Sequence, residues 1–229
     1  MNLRPFSLLL TILLASTSLI HAQAGKGERI LFIGNSITRH GPSAKVAWTG
    51  NWGMAASAEA KDYVHLVVEA IAKQRVVKPE FLVANVAELE RNYATFDAAA
   101  KLTNEVAFKA DTVIVAIGEN VPALKTPEAN TQFKEAMVKL LTLLKRDGQA
   151  TLYVRSCFFA DATKDAILKE ACEATGGVFV DISSLGKDEA NYARSERKFE
   201  HEGVARHPGD KGMRAIADAI VTAVEKVGK

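Results

Sequence analysis

The sequence predicts an α/β domain, a three-layer α/β/α sandwich around a five-stranded, mostly parallel sheet. Three observations point there. Apolar runs of strand length alternate with longer segments in which apolar residues recur every three or four positions, as repeated βαβ units require. Residues 25–229 are enough chain for one full hydrophobic core and too short for two comfortable ones. No linker, internal repeat or low-complexity tract divides that span.

The first 24 residues read as a secretory signal peptide. Arg4 precedes an apolar stretch from Phe6 to Ile20, and Ala22-Gln23-Ala24 is a small-x-small cleavage site. That apolar core is about 15 residues, against the roughly 20 needed to span a bilayer, so cleavage after Ala24 is expected rather than anchoring. The mature chain is then secreted or periplasmic, with no later membrane span and a single domain over 25–229.

Five strands follow: Arg29 to Ile33, Glu80 to Ala84, Thr112 to Ile117, Thr151 to Ser156 and Val178 to Asp181. A helix is expected to start near Gly53-Met54-Ala55-Ala56-Ser57 and to bury Tyr63, Val67, Val68 and Ile71. A second carries Phe133, Met137, Leu140, Leu141 and Leu144, with Thr126 as cap, Pro127 in the first turn and Gly148 just past the end. The last carries Met213, Ile216, Ala217, Ile220 and Val224, with Asp210 as the expected cap. Right-handed crossovers favour the flavodoxin-like strand order 2-1-3-4-5, whose switch point lies between the first and third strands.

Composition excludes several functions. Lys and Arg number 29 against 27 Asp and Glu, and the only basic cluster is Lys145-Arg146, so nucleic acid and anionic membrane are poor partners. No His or Cys spacing suits a metal, and Gly34-Asn35-Ser36 lacks the further glycines that admit a dinucleotide pyrophosphate; no metal or cofactor is expected. Cys157 and Cys172 are either a disulfide, as an oxidising compartment permits, or two buried thiols. Oligomeric state is not legible.

The polar breaks carry the chemistry. The first apolar run ends at Gly34-Asn35-Ser36, placing a hydroxyl at the carboxyl edge of the sheet, and Gly118-Glu119-Asn120 closes the third run. Both fall at the switch point. His207-Pro208-Gly209-Asp210 opens the last helix and offers a base for the serine. Of the other histidines, His65 lies within a helix stripe, His40 follows Ser36 closely enough to line a pocket, and His201 precedes the His207 loop.

These blocks, in this order, resemble the SGNH branch of the GDSL hydrolase family over roughly residues 29 to 225. Gly34-Asn35-Ser36-Ile37 stands where the family usually has Gly-Asp-Ser-Leu, Gly118-Glu119-Asn120 keeps the Gly-x-Asn core, and His207-Pro208 keeps the last block. The resemblance implies Ser36 as nucleophile and His207 as base. It implies three oxyanion donors: the Ser36 N–H, the Asn120 amide, and an N–H in the loop after the second strand, at Glu90, where a glycine is usual. The family's acid sits three residues before the histidine, and here that position is Val204. A Ser-His dyad is therefore expected. A carbonyl at Gly203 or Val204 is the first choice to orient His207, followed by Glu202 and then Glu90 and Glu119.

Asn35, His40, Trp52 and Glu119 are expected to contact substrate. The loop Arg39 to Gly53, with Trp48, Asn51 and Trp52, is a candidate wall for sugar rings, unless its Trp side chains cap the core. The stretch Lys187 to His201 is either a second wall or a solvated face. The function expected is hydrolysis of a small acyl ester, with O-acetyl groups on carbohydrate as the favoured substrate. A lysophospholipase or thioesterase, and a saccharide-binding module that has lost turnover, are the alternatives.

Overall fold

The structure is a computed structural model and describes residues 27–146 and 148–227. The expected leader lies outside the described residues. Five strands form one sheet: β1 Arg29–Gly34, β2 Glu80–Asn85, β3 Thr112–Ala116, β4 Thr151–Arg155 and β5 Val178–Val180. Their order is β2-β1-β3-β4-β5, and every neighbouring pair is parallel. The sequence reading had that order, and its strand ends lie within one residue of these.

The helices are α1 Tyr63–Ala72, α2 Ala87–Arg91, α3 Ala98–Lys101, α4 Thr103–Ala107, α5 Pro127–Lys145, α6 Ala162–Ala174, α7 Glu202–Ala205 and α8 Asp210–Val227. Alternate strand residues divide the core. Leu31, Ile33, Val113, Val115, Leu152 and Val154 face α2 to α6, where Phe133, Met137, Leu140, Leu141 and Leu168 are buried. Ile30, Phe32, Ile114, Ala116 and Tyr153 face α1 and α8, against Tyr63, Val67, Met213, Ile216 and Ile220. Both faces are covered, which is why these strands read as continuous apolar runs.

Three local expectations are corrected. Residues 53–58 do not begin a helix; Ala55 takes a left-handed φ of 72°, and α1 starts only where Asp62 Oδ1 accepts the His65 N–H at 2.8 Å. Arg146, in the left-handed region at φ 49°, ends α5 two residues before Gly148. Asp210 lies in the first turn of α8 but does not cap it: the Glu196 carboxylate accepts the N–H groups of Asp210 and Lys211, each at 2.8 Å. Asp210 instead accepts from Ser57 N, Ser57 Oγ and Lys61 Nζ, tying α8 to the segment before α1. Cys157 and Cys172 are both buried and free, which settles that pair as thiols. No helix of the described residues is long and apolar enough to cross a membrane.

Candidate functional site

The site is built at the carboxyl ends of β1 and β3. After Gly34 the chain must turn at once: a Cβ there would lie 1.9 Å from Thr38 Oγ1, so only glycine lets the turn fold back on the strand. The turn closes with the N–H groups of Thr38 and Arg39 both on Asn35 O at 3.0 Å. Asn35 Oδ1 accepts the Ile37 N–H at 3.0 Å, which fixes the Asn35 side chain and leaves Ser36 at the surface of the bend. Ser36 is half-buried, and its N–H makes no hydrogen bond among the described residues.

The opposite side of the site is the segment before α8. Ser36 Oγ lies 2.8 Å from His207 Nε2, and His207 Nδ1 lies 2.8 Å from Gly203 O. The Gly203 carbonyl therefore accepts the Nδ1 proton, which puts the lone pair on Nε2, facing the hydroxyl. Gly203 belongs to α7, capped by His201, whose Nδ1 accepts the Gly203 N–H at 3.1 Å. Val204, where the family acid would stand, is buried with Trp48, Met54, Ala55 and Ala193, and so anchors α7 instead of meeting the imidazole. Glu202 is exposed and makes no hydrogen bond to His207. Burial holds His207 below its ordinary value of 6.5, and the neighbouring His40 pushes the same way; the Gly203 carbonyl and the Glu119 charge only partly oppose them.

Beneath the serine lies a buried polar network. Glu90, fully buried, accepts from Asn35 Nδ2 at 3.0 Å, Gly118 N at 2.7 Å, Asn120 N at 3.4 Å and Asn120 Nδ2 at 2.6 Å. Glu119 accepts from the same Asn35 Nδ2 at 2.7 Å, from Phe158 N at 3.0 Å and from Arg155 Nη1 at 2.6 Å. Burial pushes Glu119 up, but the Arg155 guanidinium and these donors outweigh it and hold the carboxyl low. Burial raises Glu90, and the Glu119 charge adds to the rise. Gly118 joins this network at φ 138°, with Cys157 Sγ where a Cβ would go. Lys164 Nζ donates to Val121 O at 2.6 Å and clamps the loop from the far side.

The sequence reading had Glu90 contribute its backbone N–H to the site. In the structure that N–H points at Val86 O, 3.4 Å away at the start of α2, and the carboxylate is what meets Asn35 and Asn120. Asn35 and Glu119 are likewise turned into the network rather than outward. Arg155 and Lys164 were missed, and Glu196, read only within the possible second wall 187–201, instead caps α8. Arg155 had one visible signal, a charged residue closing the apolar run of β4 at the same sheet edge as Gly118.

The two tryptophans divide the loop's two roles. Trp48 is buried against Val204, whereas Trp52 is half-buried and packs edge-on to it at 5.6 Å. Trp52 lines a cleft of about 210 Å³ with Thr38, Arg39, Asn51, Glu59 and His65. His40, half-exposed, pairs through its backbone with Trp52, and its Nδ1 lies 2.6 Å from Gly41 O. In the stretch 187–201, Tyr192 is held by the Gly186 carbonyl at 2.7 Å and covered by Arg194, so its ring is part of the framework. Among the described residues no group of three or more His, Cys, Asp or Glu could hold a metal ion.

No protein-family model matches the chain, and no curated protein sequence does. Solved structures do. A protein from Bacteroides uniformis described as a GDSL-like lipase superposes with a TM-score of 0.55 at 13% identity, covering 87% of this chain and 96% of that one. This is the SGNH hydrolase fold. An acetyl xylan esterase shares the SGNH fold with a TM-score of 0.54 at 13% identity, over 86% of this chain and 99% of that one. A family two carbohydrate esterase from Cellvibrio japonicus matches with a TM-score of 0.54 at 15% identity, over 87% of this chain and 61% of that chain.

Proposed function

We propose that the protein is an exported serine ester hydrolase acting on small acyl esters, with O-acetyl groups on carbohydrate as its substrate class. One observation carries this reading: Ser36 Oγ, His207 Nε2 and the Gly203 carbonyl form a continuous hydrogen-bonded line, 2.8 Å at each step. That line supplies a nucleophile, a base and a tautomer-fixing acceptor without a side-chain acid.

In this mechanism His207 takes the Ser36 proton as Oγ attacks the carbonyl carbon. The developing oxyanion is held by the Ser36 N–H and the Asn120 amide. The tetrahedral adduct collapses to an acyl-serine as His207 protonates the departing alcohol. Water, deprotonated by the same imidazole, then attacks the acyl carbon; the C–Oγ bond breaks, the carboxylic acid leaves, and His207 returns its proton to Ser36 Oγ. Trp52, half-buried on the loop that follows Ser36, is the side chain offered here to the alcohol half of the substrate, since aromatic faces pack on sugar rings. The acetyl xylan esterase and the carbohydrate esterase that share the fold support the choice of acyl and alcohol. The leader ending at Ala24 supports export.

A second reading, a saccharide-binding module without turnover, is favoured by one feature, the apolar residue at 204, the position that the family resemblance gives to the acid. Labelling with a fluorophosphonate probe separates the two: Ser36 is expected to be labelled in the folded protein, and a folded chain that stays unlabelled would count heavily against the hydrolase. Among nitrophenyl acetate, butyrate and octanoate, acetate is expected to give the highest kcat/KM. Preference for octanoate would move the substrate to the lysophospholipase or thioesterase class.

A further inference from the structure

The carboxylate of Glu90 has a geometry that the catalytic line does not use. It is fully buried, yet among the described residues nothing cationic touches it and all four of its hydrogen-bond partners are N–H donors. Two of those donors belong to Asn120, the residue whose amide holds the oxyanion in the reading above. A carboxamide has an oxygen end and a nitrogen end of nearly equal shape, and only the nitrogen end can serve an oxyanion.

We propose that Glu90 is a positioning residue that locks the Asn120 carboxamide with its nitrogen toward the site, and that the asparagine at 35 is there to make a carboxylate at 90 tolerable. Burial and the Glu119 charge push Glu90 up, but every partner its carboxyl meets among the described residues is an N–H donor and none is an acceptor for a carboxyl proton, so the site is built for the ionised form. An ionised carboxylate accepts hydrogen bonds and cannot donate. With Glu90 Oε2 at 2.6 Å, an Asn120 turned end for end would set oxygen against oxygen, so the flipped form is excluded by lone-pair repulsion. One Nδ2 proton is spent on Glu90. The second makes no other hydrogen bond among the described residues and is left for the oxyanion. Asn35 completes the arrangement, because its Nδ2 bridges Glu90 Oε1 and Glu119 Oε2. A third carboxylate at 35 would instead leave three buried negative charges beside the single guanidinium of Arg155, a strongly unfavourable cluster. The inference rests on the esterase reading, since it assigns Glu90 a task in that reaction.

Glu90→Gln tests it with almost no change of shape. Three donors converge on Oε1, so the glutamine must place its oxygen there and its NH2 toward Asn120. Asn120 then turns to accept, and its nitrogen leaves the site. With nitrophenyl acetate and the full chain, Asn120→Ala is expected to lower kcat about 100-fold to 1000-fold, the usual cost of one oxyanion donor. Glu90→Gln is expected to lose at least about 30-fold in kcat with KM little changed. The double variant is expected to fall within about 3-fold of Asn120→Ala alone, because residues that act through one another are not additive. A Glu90→Gln enzyme within about 3-fold of wild type, or a loss that multiplies with that of Asn120→Ala, would overturn the proposal. If Glu90→Gln does not fold, Glu90→Ala takes its place in the same cycle, where the same non-additivity is required. Wild-type kcat in Asn120→Ala would overturn the oxyanion role itself, and an inactive wild type would overturn the esterase reading.

Discussion

At the scale of single residues, His207 decides what the site can do. Its burial favours the neutral ring, so the imidazole remains a base at neutral pH. Protonation removes that base, so kcat/KM is expected to rise with pH through a limb centred below the ordinary 6.5 and to level off above it. A limb at pH 7 or higher would mean that the ring is not held in the neutral form. Val204 poses the complementary question of whether the absent acid matters. Because its side chain packs with Trp48, Met54 and Ala193 and the Nδ1 proton already has the Gly203 carbonyl, Val204→Asp is expected to gain no activity. It is expected to lose about 2–4 kcal/mol of stability from burying a carboxyl in an apolar cluster. Urea unfolding and kcat measured on one preparation check both halves. Ser36, Asn120 and His207 were legible because each breaks an apolar pattern at a strand or helix end. What the Glu90 carboxylate does was not, since the sequence placed Glu90 in the loop beside the site through its backbone N–H and only the packed fold shows which donors its side chain meets.

At the scale of elements, the dyad joins two segments far apart in the chain, and capping sets how they meet. The Glu196 carboxylate takes the first free N–H groups of α8, a favourable placement for a negative charge on the helix dipole, and so fixes the segment that carries His207. Glu196→Ala is expected to cost about 0.5–2 kcal/mol in urea unfolding, as loss of a helix cap does. An unchanged midpoint would show that the cap is not holding α8. Sequence patterns pointed to Asp210 for this task because it sits at the expected boundary. Proximity in sequence misled there: Glu196 arrives from the preceding loop, a contact made by tertiary folding, while Asp210 is drawn off by Ser57 and Lys61. The start of α1 was misplaced for a related reason, since the small residues from Gly53 to Ser57 suit a helix locally but are held in a turn by Met54 N on Ser36 O at 2.8 Å. The long amphipathic helices α5 and α8, by contrast, are set by their own apolar stripes: all five expected core residues of α5 are buried, and of those of α8 all but Val224, which is half-buried near the helix end.

At the scale of the whole molecule, the doubly covered parallel sheet brings the ends of β1 and β3 together, so Ser36 and Asn120 are neighbours by topology before any side chain is considered. That much followed from alternating apolar runs and the handedness of crossovers. The network beneath the site did not, because Asn35, Glu90, Glu119 and Arg155 come from four separate segments and only the packed fold shows that they share a buried space. The two thiols belong to this scale as well. Cys157 and Cys172 lie on the α2 to α6 side of the sheet, buried and unpaired, and burial pushes the Cys172 thiol up to about 11. The native protein is expected to react slowly with a thiol reagent, to show two free thiols once denatured without reductant, and to keep its Tm when reductant is added. A fall in Tm on reduction would mean that the pair is bonded.

The account depends most directly on proton sharing between Ser36 and His207. The measurement that tests it is the kcat for nitrophenyl acetate in wild type, Ser36→Ala, His207→Ala and the double variant. Each single variant is expected to lose at least about 1000-fold, with the double no worse than either, as for a nucleophile and base that act as one unit. Activity in Ser36→Ala equal to wild type would contradict it.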